Sequence, residues 1–207
     1  VIHALALQLV RAWQTTSWIE LIAAFLAVLY LVLAIKQWRS CWGAAFVSSV
    51  LYVWVLFDAH LYMESLLQTF YAAMAVYGFV QWTRGPAGTG LAVTRWPWSR
   101  SALALAAAVG LSLVTSFFLR RYTPAAWPFV DSLVTWTSVF ATFLVARKVY
   151  ENWHWWLIID SVSLCLYYNR GLYLTMLLFA AYLVMIVIGM REWRRSVGPS
   201  LHAAHSV

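Results

Sequence analysis

The sequence predicts an all-α polytopic membrane protein, with seven transmembrane helices in a parallel 3+1+3 duplicated arrangement. Three observations lead there. The 207-residue chain is 64% apolar and only 10% charged, a composition of membrane proteins rather than of soluble domains. Seven apolar runs approach the roughly 20 residues that a helix needs to cross a hydrocarbon core about 30 Å thick. The chain also matches itself without a gap at an offset of 111, which lays Trp42 on Trp153, Tyr62 on Tyr173, Tyr71 on Tyr182, Gly78 on Gly189 and Trp82 on Trp193. Apolar matches come cheaply in membrane helices, whereas paired Trp, Tyr and Gly do not. The same offset pairs Glu20 with Asp131 and Lys36 with Arg147. Three spans and a connector give a shift of four helices, so one unit recurs with the same base-rich and acid-bearing ends.

Residues 1–17 are too short to span and mix apolar residues with His3, Gln8 and Arg11. They read as an interfacial segment or the remainder of a truncated span. The first three-helix unit, 18–83, contains expected spans over 18–37, 41–59 and 62–82. The loop and connector occupy 84–125, with "RGPAGTG" breaking the chain before a helix over 101–119 and "RRYTPAAWP" after it. The second unit, 126–193, carries spans over 126–147, 152–168 and 172–191, the last two separated by "NRG". A tail, 194–207, is expected to be disordered.

Charge fixes the direction. Ten of the 14 basic residues, Lys36, Arg39, Arg147, Lys148 and Arg194 among them, fall on one face of this topology, and Arg11, Arg120, Arg121 and Arg170 fall on the other. By the positive-inside rule the richer face is cytoplasmic, which puts the C-terminus inside. The same rule accounts for the net charge of +7 without nucleic acid. Cys41 and Cys165 lie in or beside spans with no CxxC between them, so no disulfide framework or thiolate metal site is indicated. His202 and His205 lie in the tail, and neither a metal nor a cofactor is called for.

Other seven-span classes fit poorly. A retinal protein needs a mid-span lysine in its last helix, and both lysines, Lys36 and Lys148, sit at cytoplasmic ends. Short loops and duplication disfavour a signalling receptor. No GxSxG or HExxH is present, which argues against an enzyme. No repeated filter chemistry suggests a channel.

Duplicated membrane folds commonly bind cargo near the midplane, between the repeats. Polar residues within the spans are therefore candidates to line such a site. On the sixth helix Trp153, Trp156, Asp160, Ser163 and Tyr167 recur at steps of three and four, so rings and acid share one stripe. An aspartate near a helix centre costs about 2.5–3.5 kcal/mol on insertion scales, so it should face a cavity or a partner rather than lipid. Its repeat mate is Ser49: the position stays polar in both units and acidic in one. Gln68 and Tyr71 follow Glu64 on the third helix, Asp131 heads a Thr135, Ser138, Thr142 stripe on the fifth, and Glu20 follows Trp18 on the first. Acids concentrated in the membrane or toward the outer side suit a cationic cargo arriving from outside. Stacking and cation–π contact with a flat, charged heterocycle are worth about 0.5–2 kcal/mol per ring. Simpler roles compete: interfacial belts for the tryptophans, backbone bonding for the helix-five hydroxyls, and solvated or ion-paired positions for Glu20, Glu64 and Asp131.

The run "ENWHWWLIIDSVSLCLYYNRGLYLTMLLFAAYLVMIVIGMREWRR", with "WIE" at Trp18 to Glu20 and "LLQTFYAAMAVYGFVQW" at Leu66 to Trp82, resembles the PnuC-type bacterial vitamin transporters. The resemblance covers nearly all of the chain and is weakest in the fourth helix and the loop before it. It implies a SWEET-like 3+1+3 fold in the inner membrane. It further implies uptake of nicotinamide riboside or a relative by facilitated diffusion, with a cytoplasmic kinase trapping the vitamin downstream. Gln68 matches the family's mid-membrane glutamine, and Trp153 and Trp156 match its WxxW. Asp160 is a departure, because nicotinamide riboside members often carry Asn there. Relatives are expected to carry thiamine, riboflavin or deoxynucleosides. An aspartate suits thiamine and nicotinamide riboside, both cationic, and argues against neutral cargo.

The expected binding set is therefore Trp18, Glu20, Gln68, Tyr71, Asp131, Trp153, Trp156, Asp160 and Tyr167, with a small-molecule vitamin and the lipid bilayer as partners. A homo-oligomer is compatible with the sequence. A membrane receptor or scaffold that transports nothing is the competing class.

Overall fold

A computed structural model describes residues 17–58, 62–84, 90–122, 127–169, 171 and 173–197. The expected N-terminal segment before Ser17, the tail from residue 198, His60, Arg170 and the side chain of Glu64 lie outside the described residues. Seven helices occur among them: α1 (Trp18–Ile35), α2 (Cys41–Asp58), α3 (Tyr62–Thr83), α4 (Trp98–Tyr122), α5 (Pro128–Ala146), α6 (Asn152–Asn169) and α7 (Tyr173–Arg195). The helices α4 and α7 outrun the apolar reading, α7 by reaching Arg195 inside the expected tail, because Arg100, Arg120, Arg121, Arg194 and Arg195 favour helix and can extend their charged heads to the membrane surface.

Five helices are long and apolar enough to cross a bilayer; α3 and α6 have the length but not the apolarity. These two carry Gln68 and Asp160, whose polar atoms a lipid-facing helix could not satisfy.

Local chemistry sets the ends. The hydroxyl of Ser17 accepts from the Glu20 backbone N–H at 3.2 Å and caps α1. Pro128 opens α5, where its missing N–H costs nothing. At the other ends of α1 and α5 the chain makes the same turn twice. Gln37 (φ 57°) and Lys148 (φ 49°) take the left-handed conformation. Gln37 N–H donates to Ala34 at 3.0 Å and Trp38 N–H to Leu33 at 3.0 Å, while Lys148 N–H donates to Val145 at 2.9 Å and Val149 N–H to Leu144 at 2.9 Å. Both are Schellman closures, and they stand 111 residues apart.

The packing pairs run α1–α2, α2–α3, α3–α5, α5–α6, α6–α7 and α7–α1, a closed ring of six helices. Among the described residues helix α4 packs on α5 alone, outside that ring. Small residues let the neighbours approach: the Ser48 hydroxyl donates to the Ala23 carbonyl of α1 at 2.7 Å, and that of Ser65 to the Val53 carbonyl of α2 at 3.0 Å. At Gly78 a Cβ would overlap the Trp42 indole, and at Gly189 a Cβ would overlap that of Trp153. A strap over residues 91–97 closes one end of the bundle: Thr94 N–H donates to Lys148 at 3.0 Å, Tyr150 N–H to Thr94 at 2.8 Å, and Trp96 N–H to the Glu151 carboxylate at 2.8 Å.

Candidate functional site

The six-helix ring encloses a cavity of about 450 Å³, within the 300–1,000 Å³ typical of small-molecule sites. All six ring helices line it and α4 does not. Asp160, Ser163 and Tyr167 project from α6, Gln68 and Tyr71 from α3, Ser49 and Tyr52 from α2, Ser138 and Thr142 from α5, and Tyr182 from α7.

One end of the cavity is floored by indoles. Trp42 meets Trp82 edge to face at 5.4 Å and 86°, and Trp153 meets Trp193 at 5.4 Å and 87°. Trp82 and Trp193 then contact each other at 6.0 Å. Trp82 Nε1 donates to the Val145 carbonyl at 3.1 Å, and Trp193 Nε1 to the Ala34 carbonyl at 3.0 Å. Each bond ties neighbouring helices of the ring, α3 to α5 and α7 to α1. Beside this cluster Lys148 is buried in the α5–α6 turn, with Nζ 4.6 Å from the Trp82 ring centroid. Burial pushes its ammonium below the usual lysine range, and Arg39 adds to that shift while Cys41 opposes it.

The three tryptophans at the start of α6 have three different jobs. Trp153 belongs to the floor, Trp155 turns away to meet Phe140 edge to face at 5.2 Å and 82°, and Trp156 lines the cavity. One turn deeper, Asp160 is only 5% exposed and faces the cavity. Among the described residues no arginine or lysine pairs with it and no hydrogen bond fixes it. A carboxylate shielded from lipid, unpaired by protein and bordered by Trp156 and Tyr182 can receive a cation with a flat apolar body.

Six of the nine expected residues, Gln68, Tyr71, Trp153, Trp156, Asp160 and Tyr167, come together on this cavity. Trp18, Glu20 and Asp131 lie outside its lining. Trp18 is 77% exposed at the start of α1. Glu20 is half-buried in the first turn of α1, within electrostatic reach of Tyr52, and Asp131 is half-buried in the first turn of α5. The helix-five hydroxyls divide: Thr135 and Thr142 bond backbone carbonyls one turn back, at 2.9 and 2.8 Å, whereas Ser138 contacts the Tyr71 hydroxyl.

Several lining residues lie beyond the nine that the sequence predicts: Tyr30, Tyr52, Asn152, Tyr182, Ser49 and Trp42. The repeat could have supplied the last three, because they are the mates of Tyr71, Asp160 and Trp153. Asn152 pairs with Cys41 and gave no such signal. It is fully buried, its Nδ2 donates to Val149 at 2.6 Å, and its Oδ1 has no partner among the described residues, like Nε1 of Trp42 and of Trp153.

Comparison with known proteins adds four findings. Residues 17–195 match the family model described as nicotinamide mononucleotide transporter. The riboflavin/roseoflavin transporter RibM of Streptomyces davaonensis is 30% identical over 203 residues, 92% of this chain and 93% of that protein. The nicotinamide riboside transporter PnuC of Escherichia coli is 28% identical over 207 residues, covering 87% of this chain and 86% of its own. A crystal structure of the vitamin B3 transporter PnuC superposes with a TM-score of 0.69 at 23% identity, over 95% of this chain and 89% of that one.

Proposed function

This chain is a membrane transporter of the PnuC family, the nicotinamide mononucleotide transporter family, and from that premise we propose that it imports a cationic heterocyclic vitamin, nicotinamide riboside first. The observation that carries the reading is Asp160, a carboxylate with no partner among the described residues, in a ring-lined cavity. In this scheme Asp160 is the counter-charge, Trp153, Trp156 and Tyr167 are ring platforms, and Gln68 and Tyr71 anchor polar groups. Glu20 and Asp131, in the first turns of α1 and α5, draw cations toward the outer mouth, with Trp18 beside them.

The transport frame is a SWEET-like, parallel 3+1+3 fold, with α1–α3 and α5–α7 as the two units and α4 as connector. Support comes from features that recur at the 111-residue offset: the two left-handed helix closures, the two Trp–Gly contacts and the two crossed indole bonds. The protein sits in the bacterial inner membrane with its C-terminus in the cytoplasm, and works by alternating access. Import is facilitated diffusion, and a cytoplasmic kinase that need not touch the protein traps the vitamin by adding a phosphate.

Two other cargoes compete with nicotinamide riboside. Thiamine is also cationic and satisfies Asp160 equally. Riboflavin is favoured by the 30% identity to RibM, but its neutral ring system gives the unpaired carboxylate nothing to neutralise. Uptake of the three labelled vitamins into liposomes bearing the purified protein decides the matter. The expected result is saturable entry of nicotinamide riboside, little entry of riboflavin, and no accumulation above the external concentration unless a kinase is enclosed. A receptor or scaffold would move none of the three.

A further inference from the structure

Asp160 and Ser49 are repeat mates at the 111-residue offset, and both line the cavity while only 5% and 7% exposed. In the ring order α1–α2–α3–α5–α6–α7, helices α2 and α6 stand diametrically opposite and make no packing contact with each other. The two side chains therefore approach the cavity from facing walls. Ser49 differs from its neighbours in what its hydroxyl does: Ser48 bonds Ala23 and Thr142 bonds Ser138, whereas Ser49 has no partner among the described residues. A serine inside a helix usually bonds back to the carbonyl one turn earlier, so an unused, cavity-facing hydroxyl is available to a ligand.

Other mates line the same space: Tyr71 with Tyr182, Trp42 with Trp153 and Ala34 with Val145. The frame is thus nearly symmetric, and the chemistry is not. On the α6 wall stand Trp156 and Asp160; at the matching places on the α2 wall stand Ala45 and Ser49. One wall supplies a ring and a charge, the other supplies room and a neutral hydroxyl.

We propose that Ser49 is a specificity-determining residue: it forms the neutral pole of the cavity and receives the hydroxylated part of a cargo whose cationic ring is held at Asp160. The proposal rests on the reading of the cavity as the site for a cationic vitamin. It assigns the substrate class as a two-headed molecule, a cationic aromatic ring bearing a hydroxyl-rich substituent. Because the frame is nearly symmetric, the two poles are exchangeable, and moving the acid to the α2 wall lets the cargo bind turned around.

The test is calorimetric titration of the purified protein with nicotinamide riboside and with 1-methylnicotinamide, a ring cation without the sugar. Ser49→Ala should weaken the riboside by about threefold to tenfold, the loss of one neutral hydrogen bond, and leave the methyl cation unchanged. Asp160→Ser should weaken both by more than about tenfold, and Ser49→Asp combined with Asp160→Ser should regain most of that loss. Equal effects of Ser49→Ala on both ligands, or none on either, would overturn the proposal. So would a double variant as weak as Asp160→Ser alone while its thermal unfolding matches that of the unmodified protein. Failure of the unmodified protein to bind either cation would instead remove the cationic-vitamin reading and this inference with it.

Discussion

Trp82 donates its indole N–H to the carbonyl of Val145 at 3.1 Å, and this bond joins α3 to the end of α5 across the floor of the cavity. Its counterpart at the 111-residue offset, Trp193 to Ala34 at 3.0 Å, joins α7 to the end of α1. Both acceptor carbonyls also take a backbone N–H from the left-handed residue closing their helix, Lys148 or Gln37. Four indoles and two helix ends thus form one unit that holds the ring shut at this end.

Replacing either tryptophan by phenylalanine keeps most of the ring contact and removes the bond. Each variant should lose about 1 kcal/mol of stability, by similar amounts, in denaturation of the detergent-solubilised protein. Because Trp82 and Trp193 touch, the double variant should depart from additivity. A loss confined to one of the two would mean that the bonds are not equivalent.

The glycines give a sharper contrast. Gly78→Ala and Gly189→Ala drive a methyl group into Trp42 and Trp153 and should each cost about 1–3 kcal/mol, the usual range for overpacking. At Gly43 and Gly110 nothing among the described residues stands within 4 Å of the added carbon, so alanine there should be neutral or gain up to about 1 kcal/mol of helix propensity. Unfolding temperatures of the four variants check both halves of this expectation.

Lys148 makes stability depend on pH. Its folded pKa lies below the ordinary 10.5, chiefly through burial, so between the two values the unfolded chain binds more protons and stability rises with pH. Below the folded value both states are protonated and the penalty stays constant. The unfolding temperature of the unmodified protein, measured relative to Lys148→Met, should therefore climb as the pH approaches the ordinary lysine value of 10.5 from below. A flat difference would show that Lys148 carries no depressed pKa.

The sequence was most informative where one physical rule acted alone. Membrane length and breakers located the helices, and the cost of a mid-span acid pointed to a cavity at Asp160, where one exists. The stripe on α6 carries Trp153, Trp156, Asp160 and Tyr167 to one cavity because a single helix fixes their relative directions. The stripe could not say that Trp155, next to Trp156, would find Phe140 on α5, since that depends on a partner helix. Nor could it distinguish Ser48, spent on Ala23, from Ser49, left facing the cavity. The neighbours decide which hydroxyl is used, and local pattern does not contain them. Asn152 stayed hidden for a related reason: at the head of α6 it reads as a helix-start residue, and only the assembled ring buries it.

The central claim is that the carboxylate of Asp160 is the counter-charge for a cationic vitamin inside the six-helix ring. Calorimetric titration of nicotinamide riboside into the unmodified protein and into Asp160→Asn, which keeps shape and hydrogen bonding and removes only the charge, tests it most directly. Loss of a charge-assisted contact worth about 1.5–3 kcal/mol predicts affinity lower by about tenfold to a hundredfold. Affinity that is the same in both proteins would contradict the account.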